Sequence, residues 1–136
     1  MKNKVICIID DDPIYQLLIN KIIAMSETEY DVVSFKNGKE ALESFKSDLK
    51  EDKKMPEIIL LDIEMPIMDG WDFMKHIEKA LSGKTEKTAI YIVSSSIAYE
   101  DREKAKTFPE IMGYFSKPID TSKILEITKH VTKGEQ

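Results

Sequence analysis

Cysteine is almost missing from this chain of 136 residues: Cys7 stands alone in an apolar run, so no disulfide framework exists and a reducing cytoplasm is the expected setting. Long hydrophobic runs are missing as well. After the basic start Met1 to Lys4, the apolar stretch Val5 to Ile9 ends at three aspartates, too short for a signal-peptide core or a membrane span. No membrane insertion is expected. An excess of positive charge is also lacking: 20 basic residues face 25 acidic ones, a formal charge of -5, which disfavours attraction to nucleic-acid phosphates and sets aside direct DNA binding. There is no internal repeat, low-complexity segment or linker. The length suits one domain with a core of its own.

What is there is alternation. Short apolar runs at Val5–Ile9, Asp31–Phe35, Glu57–Leu61, Ala89–Val93 and Ile111–Phe115 are separated by helical patterns, which reads as five strand-helix units around a parallel sheet buried on both faces. The first helix opens with Asp12 as N-cap and Pro13 at its first position, and the spacing assigns Ile14, Leu17, Leu18, Ile22 and Met25 to the core. Leu42, Phe45 and Leu49 mark the inner stripe of the second helix, and Phe73, Met74, Ile77 and Leu81 that of the third. The fifth, about Thr121 to Val131, turns Ile124, Ile127 and Val131 inward. The fourth helix, roughly Ala98 to Phe108, is dominated by charged residues, with little apolar face beyond Ala105 and its ends, so weak docking is expected. The stretches Asp48–Lys54 and Ser82–Thr88 read as solvated connections.

In a parallel α/β sheet, ligands gather beyond the carboxyl ends of the strands. There the first strand delivers Asp10, Asp11 and Asp12, the third Asp62, the fourth Ser94, Ser95 and Ser96, and the fifth leads to Lys117 and Pro118. Clustered carboxylates repel unless a cation lies between them, and a hard divalent ion such as Mg2+ takes carboxylate, water and phosphate oxygens together. With an ion and Lys117 offsetting negative charge, one carboxylate can attack a phosphoryl donor in line. Asp62 is the candidate nucleophile because it stands alone at its strand end, whereas Asp10 and Asp11 share a turn suited to holding the ion. The Ser94 hydroxyl is placed to hydrogen-bond a phosphoryl oxygen. Taken singly, each residue has a plainer reading: Asp10 and Asp11 as helix-capping acids, Ser94 as a turn residue, Lys117-Pro118 as a loop. Their coincidence at one end of the sheet favours the chemical reading.

These residues resemble the receiver domain of two-component response regulators, over Val5 to Val131. The similarity rests on the acidic pair Asp10-Asp11, the stretch Leu60-Leu61-Asp62-Ile63-Glu64-Met65-Pro66-Ile67-Met68-Asp69-Gly70, Ser94, and Gly113-Tyr114-Phe115-Ser116-Lys117-Pro118. It implies a flavodoxin-like, doubly wound five-stranded parallel sheet, strand order 2-1-3-4-5, with five helices. It also implies phosphorylation at Asp62, Mg2+ or alternatively Mn2+ held by Asp10, Asp11, Asp62 and the backbone carbonyl of Glu64, and phosphoryl contact by Lys117 and Ser94. Asp11 would bind the ion directly and Asp10 largely through water. A cis peptide before Pro118 and a switch pair, Ser94 and Tyr114, belong to the same resemblance, as does a signalling surface of the fourth helix, fifth strand and fifth helix. The segment Phe108-Pro109-Glu110-Ile111-Met112 departs from the small residues the family often has before Gly113.

The implied function is a phosphoacceptor, not a classical enzyme: a single receiver, 1–136 with its core at about 4–132 and no output domain. It would receive phosphate from a sensor histidine kinase or histidine phosphotransfer protein and act by contact with a protein target, as a monomer or a phosphorylation-dependent dimer. Glu64 and Ser96, two positions beyond Asp62 and Ser94, are expected to tune phosphate lifetime. Three alternatives share features of the pattern: a haloacid-dehalogenase-type phosphohydrolase, a flavin-binding domain and an inactive receiver acting as a binding module. The first places its nucleophile near the first strand, unlike Asp62; Asp10 to Asp12 would repel the phosphate of the second; and the complete set of acids, hydroxyl and lysine argues against the third.

Overall fold

The computed structural model describes residues 4–27, 29–81, 88–96 and 98–134, with side chains described as far as residue 129. Strands and helices alternate without exception: β1 (Lys4–Ile9), α1 (Pro13–Ala24), β2 (Tyr30–Phe35), α2 (Gly38–Lys50), β3 (Ile58–Leu61), α3 (Gly70–Leu81), β4 (Ala89–Ser94), α4 (Tyr99–Ala105), β5 (Ile111–Ser116) and α5 (Thr121–Gly134). The five strands are parallel and ordered β2-β1-β3-β4-β5. Each expected strand is present within a residue of its expected limits.

Alternation along the strands divides the core into two layers. Cys7, Ile9, Ile59, Leu61, Ile90 and Ile92 face α2 and α3, where Leu42, Phe45, Phe73, Met74 and Ile77 close over them. Ile6, Ile8, Ile58, Leu60, Tyr91 and Val93 face the other way, against Ile19, Ile22 and Ile23 of α1 and Ile124 and Ile127 of α5. The doubly covered sheet explains the unbroken hydrophobicity of β3, all four of whose residues are buried.

Helix α1 corrects the sequence reading. Asp12 caps it, accepting from the N–H of Ile14 and Tyr15, and Pro13 opens it as expected. Of the face assigned to the core, however, only Ile22 is buried; Ile14 is 78% exposed, Leu17 58%, Leu18 48% and Met25 68%. The inward stripe is Ile19, Ile22 and Ile23, with Tyr15 half-buried at its start. The helix is apolar on several sides, so two stripes compete, and hydrogen bonds choose between them. The Gln16 side-chain amide donates to the carbonyls of Asp10 (2.8 Å) and Phe35 (2.9 Å), tying the helix to the ends of β1 and β2 and setting its rotation.

The fourth helix is shorter than expected, and Ala105 is its one buried residue. Phe108, beyond its end, stacks on Trp71 of α3 with ring centroids 6.1 Å apart and planes 10° from parallel. The fifth helix buries Ile124 and Ile127 and runs on to Gly134; the Val131 side chain lies outside the described residues, as does the Ser82–Thr88 connection except for Thr88.

Candidate functional site

The polar residues that follow β1, β3 and β5 are each held by a backbone bond to the neighbouring strand. Asp10 N–H donates to Phe35 O (3.1 Å), Asp62 N–H to Ile9 O (3.0 Å) and Lys117 N–H to Ser94 O (2.8 Å). The ladder thus carries Asp10, Asp62 and Lys117 to the carboxyl end of the sheet. Carboxylate oxygens of Asp10, Asp11 and Asp62 all lie within 4.8 Å of one another. Asp10 and Asp62 are buried, and Asp11 is exposed at the rim.

Lys117 reaches into this cluster. Its Nζ lies 2.7 Å from Asp10 Oδ2 and 3.5 Å from Asp62 Oδ2. The second oxygen of each buried acid accepts from the backbone: Asp10 Oδ1 from Asp12 N–H (2.9 Å), Asp62 Oδ1 from Ile63 N–H (2.8 Å). Asp10 therefore has both oxygens engaged, while Asp11 presents its carboxylate to solvent. The peptide before Pro118 is cis.

One ammonium does not neutralise two buried acids. Burial, and then the neighbouring Asp10 charge, push Asp62 up to about 6 from 3.8, against the pull of Lys117 and the Ile63 N–H. Burial likewise raises Asp10, with Lys117 and the Asp12 N–H opposing it. For Lys117 burial disfavours the charged form, but the bonds to Asp10 and the charges of Asp10 and Asp62 outweigh it and hold the amine above the ordinary lysine value. The pocket is thus short of positive charge, and a hard divalent cation with oxygen ligands would supply what the donor set lacks.

The loop after β3 depends on Gly70. A Cβ at this position would sit 2.5 Å from Asp62 O and 2.9 Å from Ile63 Cα, both backbone atoms unable to give way. Gly70 N–H donates to Ile63 O (2.8 Å), closing α3 against the strand end that carries Asp62.

Ser94 ends β4, two residues past the Ile92 that pairs with Leu61. It is fully buried, and its hydroxyl accepts from Ser96 N–H at 3.1 Å. Ser96 in turn joins three elements: its hydroxyl donates to Asp101 Oδ2 of α4 (2.5 Å), and its carbonyl accepts from the Tyr114 hydroxyl of β5 (3.0 Å). Asp101 Oδ1 accepts from the Trp71 indole N–H (3.1 Å), and the Arg102 guanidinium lies 4.8 Å from the Tyr114 ring centroid. Glu64 is exposed beside the Asp62 loop. The acids, Lys117 and Ser94 therefore gather at one end of the sheet, with Tyr114 linked to them through Ser96.

Two groups escaped the sequence reading. Tyr15 lies with its ring 4.4 Å from Lys117 Nζ, and Asp101 and Trp71 belong to the network that reaches Ser94. The stripe Tyr15, Ile19, Ile22, Ile23 was the available signal for the first; for the second, no local spacing connects Trp71 to a helix so far along the chain.

Comparison with known proteins identifies the family and the fold. The response regulator receiver domain profile matches residues 6–129. The chain is 29% identical to the chemotaxis protein CheY of Thermotoga maritima over 131 residues, covering 96% of this chain and 98% of that protein. A two-component response regulator from Cytophaga hutchinsonii superposes with a TM-score of 0.84 at 26% identity, covering 98% and 99% of the two chains. The Mn2+-bound form of response regulator Rcp1 shares the fold, with a TM-score of 0.74 at 18% identity over 94% and 91% of the chains. With sheet order, acidic pocket and near-complete profile match in agreement, the chain belongs to the response regulator receiver domain family of two-component signalling.

Proposed function

We propose that this chain is a phosphoacceptor switch that takes a phosphoryl group onto Asp62. The observation that carries the reading is the placement of Lys117 between Asp10 and Asp62, with Asp11 completing a carboxylate cluster at the strand ends. Asp10, Asp11, Asp62 and the Glu64 carbonyl would hold Mg2+ or Mn2+, Asp11 directly and Asp10 largely through water. Such an ion supplies electrostatic neutralisation of the transferring phosphoryl oxygens. Members of the family bind Mg2+ or Mn2+ in an acidic pocket and interact with histidine kinases and phosphotransfer proteins.

In the transfer, an Asp62 carboxylate oxygen attacks the phosphorus of a phosphohistidine, the P–N bond breaks, and the imidazole departs with the electron pair. Lys117 offsets charge on the phosphoryl oxygens. Ser94 then turns its hydroxyl to the phosphoryl group and gives up its bond from Ser96 N–H. Because Ser96 also holds Asp101 and Tyr114, that loss loosens α4 and frees the aromatic ring, remaking the surface of α4, β5 and α5 that a protein target reads. Glu64 and Ser96 set the lifetime of the phosphate, Glu64 from the open side and Ser96 through its tie to α4. Nucleic acid and membrane are not partners in this reading.

Acetyl phosphate with Mg2+ should add one phosphoryl mass and change the fluorescence of Trp71, the chain's one tryptophan, which is bonded to Asp101 of α4. Asp62→Asn should abolish both effects. Persistence of the response in that variant would reject Asp62 as the acceptor.

A further inference from the structure

We infer that Tyr15 is a positioning residue for phosphoryl transfer, its ring face holding the Lys117 ammonium between Asp10 and Asp62. The inference rests on the phosphoacceptor reading of the site. A lysine on a loop has four rotatable side-chain bonds and a head group that water solvates well, so every contact beyond the two carboxylates helps keep it inside a pocket. Here Nζ lies 4.4 Å from the Tyr15 ring centroid as well as 2.7 Å from Asp10 and 3.5 Å from Asp62, and the lysine side chain is only 18% exposed. The aromatic ring is thus a further wall of the space that holds the ammonium, attracting it through its face.

Tyr15 is itself well fixed. It lies in the first turn of α1, where its backbone N–H donates to the capping Asp12 carboxylate at 3.3 Å, and its ring packs against the core layer between α1 and α5. Its hydroxyl is buried without a hydrogen-bond partner among the described residues, so the contact with Lys117 runs through the ring face. Burial, with the charges of Asp10 and Asp62, raises the phenol's pKa and keeps the group neutral. Tyr15 therefore adds no third anion to compete for the ammonium. A leucine or another aliphatic residue would fill the same space but leave that side of Lys117 without attraction.

The test is a cycle of variants measured for the rate of phosphorylation by acetyl phosphate with Mg2+. Tyr15→Phe keeps the ring and is expected to react within about 2-fold of the wild type; Tyr15→Leu is expected to be slower by about 3- to 30-fold, the range a partly desolvated cation–π contact spans. In a Lys117→Ala background, Tyr15→Leu should add less than about 2-fold, because the two residues act as one unit. An equal loss in that background would assign Tyr15 a packing role and overturn the inference, as would an equal loss in Tyr15→Phe. A second readout needs no phosphorylation: labelling of the Lys117 amine with an acylating reagent, followed by mass spectrometry, should speed up in Tyr15→Leu and not in Tyr15→Phe. Labelling unchanged in Tyr15→Leu overturns the inference. If the wild type takes no phosphate at Asp62, the phosphoacceptor reading fails, and the labelling result alone decides whether the ring holds the lysine.

Discussion

At Asp62 the fold buries a carboxylate beside a second one, Asp10, with one ammonium facing both, and the raised pKa of about 6 expresses that shortage of positive charge. In the metal-free protein, the folded state between pH 3.8 and about 6 holds a proton that the unfolded chain has released, so the Asp62 contribution to stability is present below that window and lost as pH rises through it. Asparagine at this position never ionises. Asp62→Asn should therefore be more stable than the wild type at pH 7.5 in the presence of a chelator, by roughly 1–3 kcal/mol, with the difference shrinking at pH 4. Urea denaturation at the two pH values measures it, and equal stability at pH 7.5 would count against the buried charge. The same loop contains a second local tension. Ile67, 76% exposed, has φ 73°, a left-handed conformation unfavourable for a β-branched residue, within a tight turn closed by Met68 N–H donating to Pro66 O at 2.8 Å. Ile67→Gly should be unchanged or more stable by up to about 1 kcal/mol, the relief of strain being partly offset by glycine's greater freedom in the unfolded chain. A loss above that size in a denaturation curve would show that the isoleucine side chain contributes packing its exposure does not suggest.

Among the elements, α1 is where local pattern misleads. Its sequence Pro13–Ala24 is apolar on more than one side, so periodicity offers two stripes, and the anchoring of Gln16 to the ends of β1 and β2 favours the rotation that buries Ile19, Ile22 and Ile23. Leu17→Gln should change stability by no more than about 0.5 kcal/mol, as expected for an exposed position, whereas Ile19→Ala should lose about 2–5 kcal/mol as a buried side chain is truncated. Denaturation midpoints of the two variants decide it; a large loss for Leu17→Gln would restore the discarded stripe. By contrast, α4 is weak in both sequence and structure. It buries only Ala105, and no side chain caps its N-terminus at Ala98, so polar ties through Asp101 to Trp71 and Ser96 contribute to its docking. Such ties break more readily than a packed apolar face, which suits the shift of α4 in the proposed switch.

For the whole molecule, an ion held in the acidic pocket would link ligand binding to folding. An ion that binds only the folded arrangement of Asp10, Asp11 and Asp62 stabilises it by mass action, about 2.7 kcal/mol at a hundredfold excess over the dissociation constant. The thermal midpoint should rise with Mg2+, fall back with chelator, and respond far less in Asp11→Ala; a midpoint indifferent to Mg2+ would remove the metal from the account. The alternation of strands and helices, the two-sided burial of the sheet and the polar residues at the strand ends were all legible in the sequence, because β-strand and helix periodicities are local properties and strand ends are marked by abrupt changes from apolar to charged residues. The tertiary structure alone decided which stripe of α1 turns inward, that Tyr15 backs Lys117, and that Trp71 and Asp101 connect α3 to the Ser94 loop. Each of these depends on atoms far apart in the chain that meet only once the sheet has formed, and hydrogen bonds between such atoms leave no periodic trace from which to read them.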